Sequence, residues 1–225
     1  MKIHHNKLLS VAALSVSLTL ASAPLLSADS LFRFEFNEGS GGVITDANEA
    51  LTGSLGRPFS PDNVPVSNTS SPSGAPGDRS LTIVDPDGYL LMDGSDIPEF
   101  YDFTKPLTVE GWINFPATSA SRNEAMVGFG RSWKFGWRAN GQMAFTLFGV
   151  ADVESGVFAP VIDAWFHMAA IWEPGSGIRF YIDGAEVAFI DETRDMVPPT
   201  NDWLGIGSAG TSEPINASID RVRIH

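Results

Sequence analysis

The chain contains no cysteine, which closes off a disulfide framework, a thiolate nucleophile and thiolate metal ligation together. Histidine is nearly as scarce. Of four, His4 and His5 sit in the first segment, which leaves His167 and His225, too few for a zinc cluster. A Ser-His-Asp site would have to use one of these two, and no Gly-x-Ser-x-Gly elbow accompanies them. The paired carboxylates of a glucanase strand, Glu-x-Asp-x-x-Glu, do not occur at any Glu. The run Asp191-Glu192-Thr193-Arg194-Asp195 carries its own Arg and reads as a solvated turn. Basic residues are few, 14 against 27 acidic, for a formal charge of −13; such a chain does not track phosphate backbones or anionic lipid. These absences argue for a protein that is not an enzyme and has no nucleic-acid partner.

What is present begins with export. Met1–Lys7 carries Lys2 and Lys7, Leu8–Leu20 is an apolar run of signal-peptide length, and Leu26-Ser27-Ala28 before Asp29 offers the small residues of a cleavage site. Pro24 disfavours the earlier cut after Ala23. The run is too short for a membrane span, and no later stretch is long and apolar enough to be one. Residues 1–28 are therefore expected to be a signal peptide, and 29–225 a mature chain without a membrane span, secreted or held at the cell surface. Its length suits one β-sandwich domain rather than two cores.

The most informative stretch is Trp165–Ile190, which holds two hairpins in succession. The first turns through Glu173–Gly177. The second turns at Asp183-Gly184, a dipeptide that tolerates positive φ at both central positions. In the leading strand Phe166, Met168, Ala170 and Trp172 share one face, and Trp165, Ala169 and Ile171 share the other with His167, so a central position is expected. Leu31–Phe36, Ser80–Val84, Gly88–Met92 and Leu107–Phe115 read as strands, as do Met126–Phe129, Trp203–Gly207 and Asn216–Ile224. Asn140-Gly141 joins Trp133–Arg138 to Gln142–Phe148. Residues 52–80, rich in Pro, Gly and Ser, and the stretch Ala151–Asp163 read as loops. No helix of three turns and no internal repeat is expected after residue 28. A dozen short strands with Gly, Pro, Asn and Asp turns imply an all-β, two-sheet antiparallel sandwich.

Four stretches in order, LFRFEFNEGSG (31–41), LTVEGWI (107–113), WFHMAAIWE with GIRFYIDG (165–184) and SIDRVRIH (218–225), resemble LamG-like (laminin G-like) domains of the concanavalin A-like lectin/glucanase superfamily. The resemblance covers nearly all of residues 29–225 and implies a jelly-roll sandwich. It implies an exported, non-catalytic recognition module for carbohydrate or an extracellular protein. A structural or adhesive surface protein without glycan binding is the alternative, and a glycoside hydrolase a third. Trp112, Trp165 and Trp172 fall at core positions of the resemblance. Trp133, Phe135 and Trp137 share one face and suit either a sugar platform or the core; the matching Met143, Phe145 and Leu147 favour the core. Trp203, at a strand start, is expected to be exposed.

One cofactor is expected, a structural Ca²⁺ held by Glu38, Asp46 and Asp220. Continuing the alternation of Phe32, Phe34 and Phe36 puts Glu38 on the core side, and Asp220 shares the parity of Val222 and Ile224. Buried carboxylates need compensation. The resemblance implies that the first and last strands pair, which would gather these oxygens where Ca²⁺ could bind them. Backbone N–H groups or an Arg would satisfy Asp220 equally well.

Overall fold

The computed structural model describes residues 30–38, 43–45, 47, 52–55, 66–68, 70–83, 89–95, 97–115, 123–158, 162–210 and 212–225. The expected signal peptide, 1–28, lies outside them. Two antiparallel sheets stack face to face. The first contains β1 (Phe32–Phe34), β4 (Val66–Asn68), β5 (Ser80–Ile83), β7 (Leu107–Asn114), β12 (Trp165–Glu173), β13 (Gly177–Ile182), β14 (Ala185–Ile190) and β16 (Ala217–Ile224). Its order is β14-β13-β12-β7-β16-β5-β4, with β1 also paired to β16. The second contains β2 (Val43–Thr45), β3 (Thr52–Leu55), β6 (Leu90–Asp93), β8 (Glu124–Phe129), β9 (Trp133–Trp137), β10 (Gln142–Leu147), β11 (Ala151–Phe158) and β15 (Trp203–Ile206), ordered β11-β10-β9-β8-β15-β6-β3-β2. We call them sheet A and sheet B. Among the described residues the helical structure is one 3₁₀ turn, Pro98–Tyr101, and no helix is long and apolar enough to cross a membrane.

The core follows the alternation. Phe34, Ile113, Trp172, Phe180, Val222 and Ile224 of sheet A meet Trp133, Phe135, Phe145 and Leu204 of sheet B. The aromatic row on β9 is thus core, stacked on Phe145 with ring centroids 5.9 Å (Trp133) and 6.3 Å (Phe135) away. Trp203 is 40% exposed. The leading strand of the double hairpin, β12, is internal to sheet A, and the Asp183-Gly184 turn has φ of 49° and 80°, as a type I′ turn requires. Asp183 also ties the end of β13 to β12: its N–H donates to His167 O and its Oδ1 accepts from His167 N–H, both at 2.9 Å.

Two loop expectations are corrected. Ala151–Phe158 is an eight-residue edge strand, and residues 52–80 contain β3, β4 and the first residue of β5. In β11 Asp152, Glu154 and Gly156 are poor strand formers, and the strand is held by its pairing with β10 across a bulge. Two side-chain directions differ as well. Phe36 takes φ 53°, which breaks the alternation, so Glu38 is exposed rather than turned to the core. On β16 a bulge with Arg221 at φ 48° falls between Ile219 and Val222, both core. Asp220, opposite Trp112, therefore lies on the face away from the core although it is fully buried.

Candidate functional site

On sheet B the residues alternating with the core row are Lys134 and Gly136 on β9, with Arg138 just beyond its end, and Ala144 and Thr146 on β10. They form the outer face. Gly136 is required there because a Cβ would stand 2.2 Å from Glu124 O in the bulged β8. The segment after β15 crosses this face and brings Glu213 to Lys134, whose side chain is only 4% exposed; a buried ammonium needs such a partner. Lys134 and Arg131 both lie 5.9 Å from the ring centroid of half-buried Phe148.

Beside this pair Arg138 reaches Asp152 at 2.9 Å and Glu154 at 3.5 Å. The Thr146 hydroxyl donates to Asp152 at 2.7 Å, and Asn140 Nδ2 donates to Glu154 at 2.9 Å. The side chains converge because β9, β10 and β11 pair in register, with Lys134 opposite Thr146 and Thr146 opposite Asp152. With the Phe148–Ala151 turn, Lys134, Arg138, Thr146, Asp152 and Glu213 border a polar groove of about 390 Å³. It presents donors and acceptors fixed by their neighbours, next to one aromatic ring, in the size range of small-ligand sites.

The outer face of sheet A is charged too, but closed. Glu110 lies 3.4 Å from His167 Nε2, 3.4 Å from His225 Nε2 and 3.6 Å from Arg223. The hydrogen bond from His167, reinforced by His225, holds its carboxyl down at about 2 despite burial. Trp112 packs edge-on against His167, centroids 5.5 Å apart. Further along β16, β1 and β5 divide one edge between them, β5 taking Ala217–Ile219 and β1 Val222–Ile224. At that fork Arg221 reaches Asp78 at 2.7 Å and both Glu35 and Asp220 at 3.8 Å.

The expected calcium ligands are distributed as follows. Glu38 Oε1 accepts from Thr45 N–H at 3.1 Å. Asp46 lies outside the described residues. Asp220 Oδ1 accepts from Arg221 N–H at 2.7 Å, while its buried Oδ2 has no hydrogen-bond partner among the described residues. Burial pushes its carboxyl up to about 7. That oxygen suits a cation, but among the described residues no group of three His, Cys, Asp or Glu is arranged to hold a metal. Of the two described candidates, Asp220 alone has a buried oxygen without a hydrogen-bond partner among the described residues. Lys134, Arg138, Thr146, Asp152, Glu154 and Glu213 were not foreseen; the available signal was that Lys134 and Arg138 alternate with the Trp row.

A laminin G-type family profile, described as the concanavalin A-like lectin/glucanases superfamily, matches residues 87–225. The chain belongs to this superfamily. No curated protein matches the chain in sequence. Among solved structures, this superfamily member is similar to domain 4 of AbnA, a GH43 extracellular arabinanase from Geobacillus stearothermophilus, in complex with arabinotriose. The TM-score is 0.62 at 15% identity over 86% of this chain and 90% of that one. It is also similar to the botulinum neurotoxin serotype G binding domain, with TM-score 0.60, 11% identity and 88% of this chain covered. A Trypanosoma rangeli sialidase gives TM-score 0.58, 13% identity and 96% coverage. The chain spans 47% of the neurotoxin chain and 34% of the sialidase chain. At these identities the likeness is one of fold.

Proposed function

We propose that this chain is an exported, non-catalytic recognition module that binds carbohydrate in the groove on the outer face of sheet B. The observation that carries this reading is the array of Arg138, Thr146 and Asp152 lining the groove beside Phe148, with Glu154 the second partner of Arg138. A sugar offers vicinal hydroxyls, each both donor and acceptor, and an array of fixed guanidinium and carboxylate edges answers them. The similarity to an arabinanase domain in complex with arabinotriose supports the same class. The non-catalytic part rests on the carboxylates. A glycosidase pair needs one acid kept protonated and free of cations, whereas one guanidinium here contacts both Asp152 and Glu154.

Affinity electrophoresis of residues 29–225 through gels containing arabinan, xylan or β-glucan tests it. Retardation that Arg138→Ala removes is the expected result, without release of reducing sugar; migration unchanged by every polysaccharide sinks the reading. An adhesive, protein-binding role is the second reading, favoured by Phe158 and Ile162, which are 56% and 54% exposed.

The structural calcium ion belongs to the same proposal, with Asp220 Oδ2 as its first ligand. At calcium a hundredfold above its dissociation constant, the ion would stabilise the fold by about 2.7 kcal/mol. Chelation is expected to lower the melting temperature by several degrees, with recovery on adding Ca²⁺ but not Mg²⁺, and Asp220→Ala to abolish the difference. A melting curve indifferent to chelator removes the metal.

A further inference from the structure

Trp203 belongs neither to the core nor to the groove wall, and it is 40% exposed. Its neighbours Leu204 and Ile206 point into the core, so by alternation Trp203 points to the outer face of sheet B, the face that carries the groove. Two glycines fix the direction. A Cβ on Gly205, which is also outward, would stand 2.6 Å from Gly210 N, and one on Gly210 would lie 4.0 Å from Trp203 Cβ. The indole therefore leaves the sheet on the side where the crossing segment runs toward Glu213.

The strand register puts this ring in line with the aromatic wall of the groove. Leu147 pairs with Trp133, Trp133 with Phe129 and Phe129 with Leu204, so the next row holds Phe148, Ser132, Gly130 and Trp203 and ends at Asp93. Two backbone bonds hold that row: Phe148 N–H donates to Ser132 O at 3.0 Å, and Gly130 N–H to Trp203 O at 2.9 Å. Phe148 and Trp203 are thus three strand spacings apart, roughly 14 Å. Ser132 and Gly130 are covered by residues 197–201, through Ser132 Oγ to Val197 O at 2.5 Å and Thr200 N–H to Gly130 O at 2.7 Å. What remains open along the row is the two rings and, between them, exposed Arg131, whose guanidinium lies 5.9 Å from the Phe148 centroid and has no ion-pair partner among the described residues. Asp93, opposite Trp203 on β6, is exposed as well.

We propose that the groove is one end of a longer site in which Trp203 is the distal stacking platform, so that the ligand is an internal stretch of a polysaccharide chain and not a single terminal sugar; this rests on the reading of the groove as a carbohydrate site. A sugar ring presents an apolar C–H face, which covers an indole by burial. Its hydroxyls, each donor and acceptor, meet Asp93 at one side of the platform and Arg131 at the other. One ring covers one platform. Only several linked residues reach from Trp203 past Arg131 to Phe148 and the polar groove beyond it.

The test is calorimetric titration of residues 29–225 with arabino-, xylo- and cello-oligosaccharides, each from disaccharide to hexasaccharide. In the series that binds, the hexasaccharide is expected to bind about tenfold more tightly than the disaccharide, the worth of covering one further aromatic face. Trp203→Ala should remove most of that gain, Trp203→Phe should keep most of it, and Arg138→Ala should weaken every member of the series. In ¹H–¹⁵N spectra of the unaltered chain the Trp203 indole signal should move with the hexasaccharide and stay in place with the disaccharide. A hexasaccharide that binds no more tightly than the disaccharide, or that binds without moving the Trp203 signal, overturns the extension and leaves the groove reading standing. No binding by any oligosaccharide overturns both. Because the length series and the spectra use the unaltered chain, a Trp203→Ala variant that fails to fold does not shield the proposal.

Discussion

On the outer face of sheet A, Glu110 is met by His167, His225 and Arg223, whereas on sheet B Arg138 serves both Asp152 and Glu154. Both faces are crowded with charge. What separates the two clusters is the number of partners per carboxylate: Glu110 has three, two of them imidazoles, whereas Asp152 and Glu154 share one guanidinium, which leaves more carboxylate edge toward the groove. The two faces also differ in backbone. Sheet B's outer face is floored by glycine and alanine with strands and a crossing segment drawn close, while sheet A's is floored by Trp112 and the arginines of β16.

Four changes probe this contrast. The largest effect is expected from Gly136→Ala, because the new Cβ meets backbone atoms, Glu124 O at 2.2 Å and Ala125 Cα at 2.7 Å, which cannot rotate away. A loss of about 3 kcal/mol by urea unfolding is expected. A loss below about 1 kcal/mol would mean that the bulge in β8 yields easily.

Glu110 supplies the next. Its carboxyl is lowered in the folded chain from 4.5 to about 2, so its stabilisation is fully present above pH 4.5 and disappears as the pH falls toward 2. Roughly 2–3 kcal/mol should be lost over that window, allowing for partial exposure, and Glu110→Gln should flatten that part of the profile. An unchanged acid limb in the variant would show that the histidine pairing contributes nothing.

Gly184→Val comes third. A Cβ there meets nothing within 4 Å, so the expected cost of about 1–2 kcal/mol comes from φ alone, and a melting temperature equal to that of the unaltered chain contradicts the type I′ turn. Arg138→Ala should cost least in stability, under about 1 kcal/mol, since its pairs are partly exposed. Its effect should appear in retention on polysaccharide gels instead.

The parts legible in the sequence were those governed by local rules. Asp183-Gly184 fixes its hairpin by positive φ at both residues, the other hairpin turns from Arg138 with Gly141 alone left-handed, and the period-2 rows on β9 and β10 placed the core correctly, whereas Trp165 of β12 is only half-buried. The rest depended on strand partners and backbone turns that residue type does not signal. Strand β11 is held by its pairing with β10. Parity carried Glu38 and Asp220 to the wrong face because Phe36 and Arg221, neither of them glycine, adopt left-handed φ, and residue types gave no warning of it. The groove stayed hidden because it needs three strands in register and a segment arriving from beyond β15.

The fork at β16 bears on how the chain folds as well as on its charge. This strand lies between β7 on one edge and β5 and β1 on the other, so among the described residues β1 has no ladder to join until residues 217–224 have left the ribosome. Sheet A therefore closes by contacts spanning almost the whole described chain, a high contact order that predicts slow folding, on the millisecond-to-second scale. During synthesis Phe32 and Phe34 wait with their apolar faces uncovered, and a chain in that state is open to chaperone capture or to threading through a pore before it collapses.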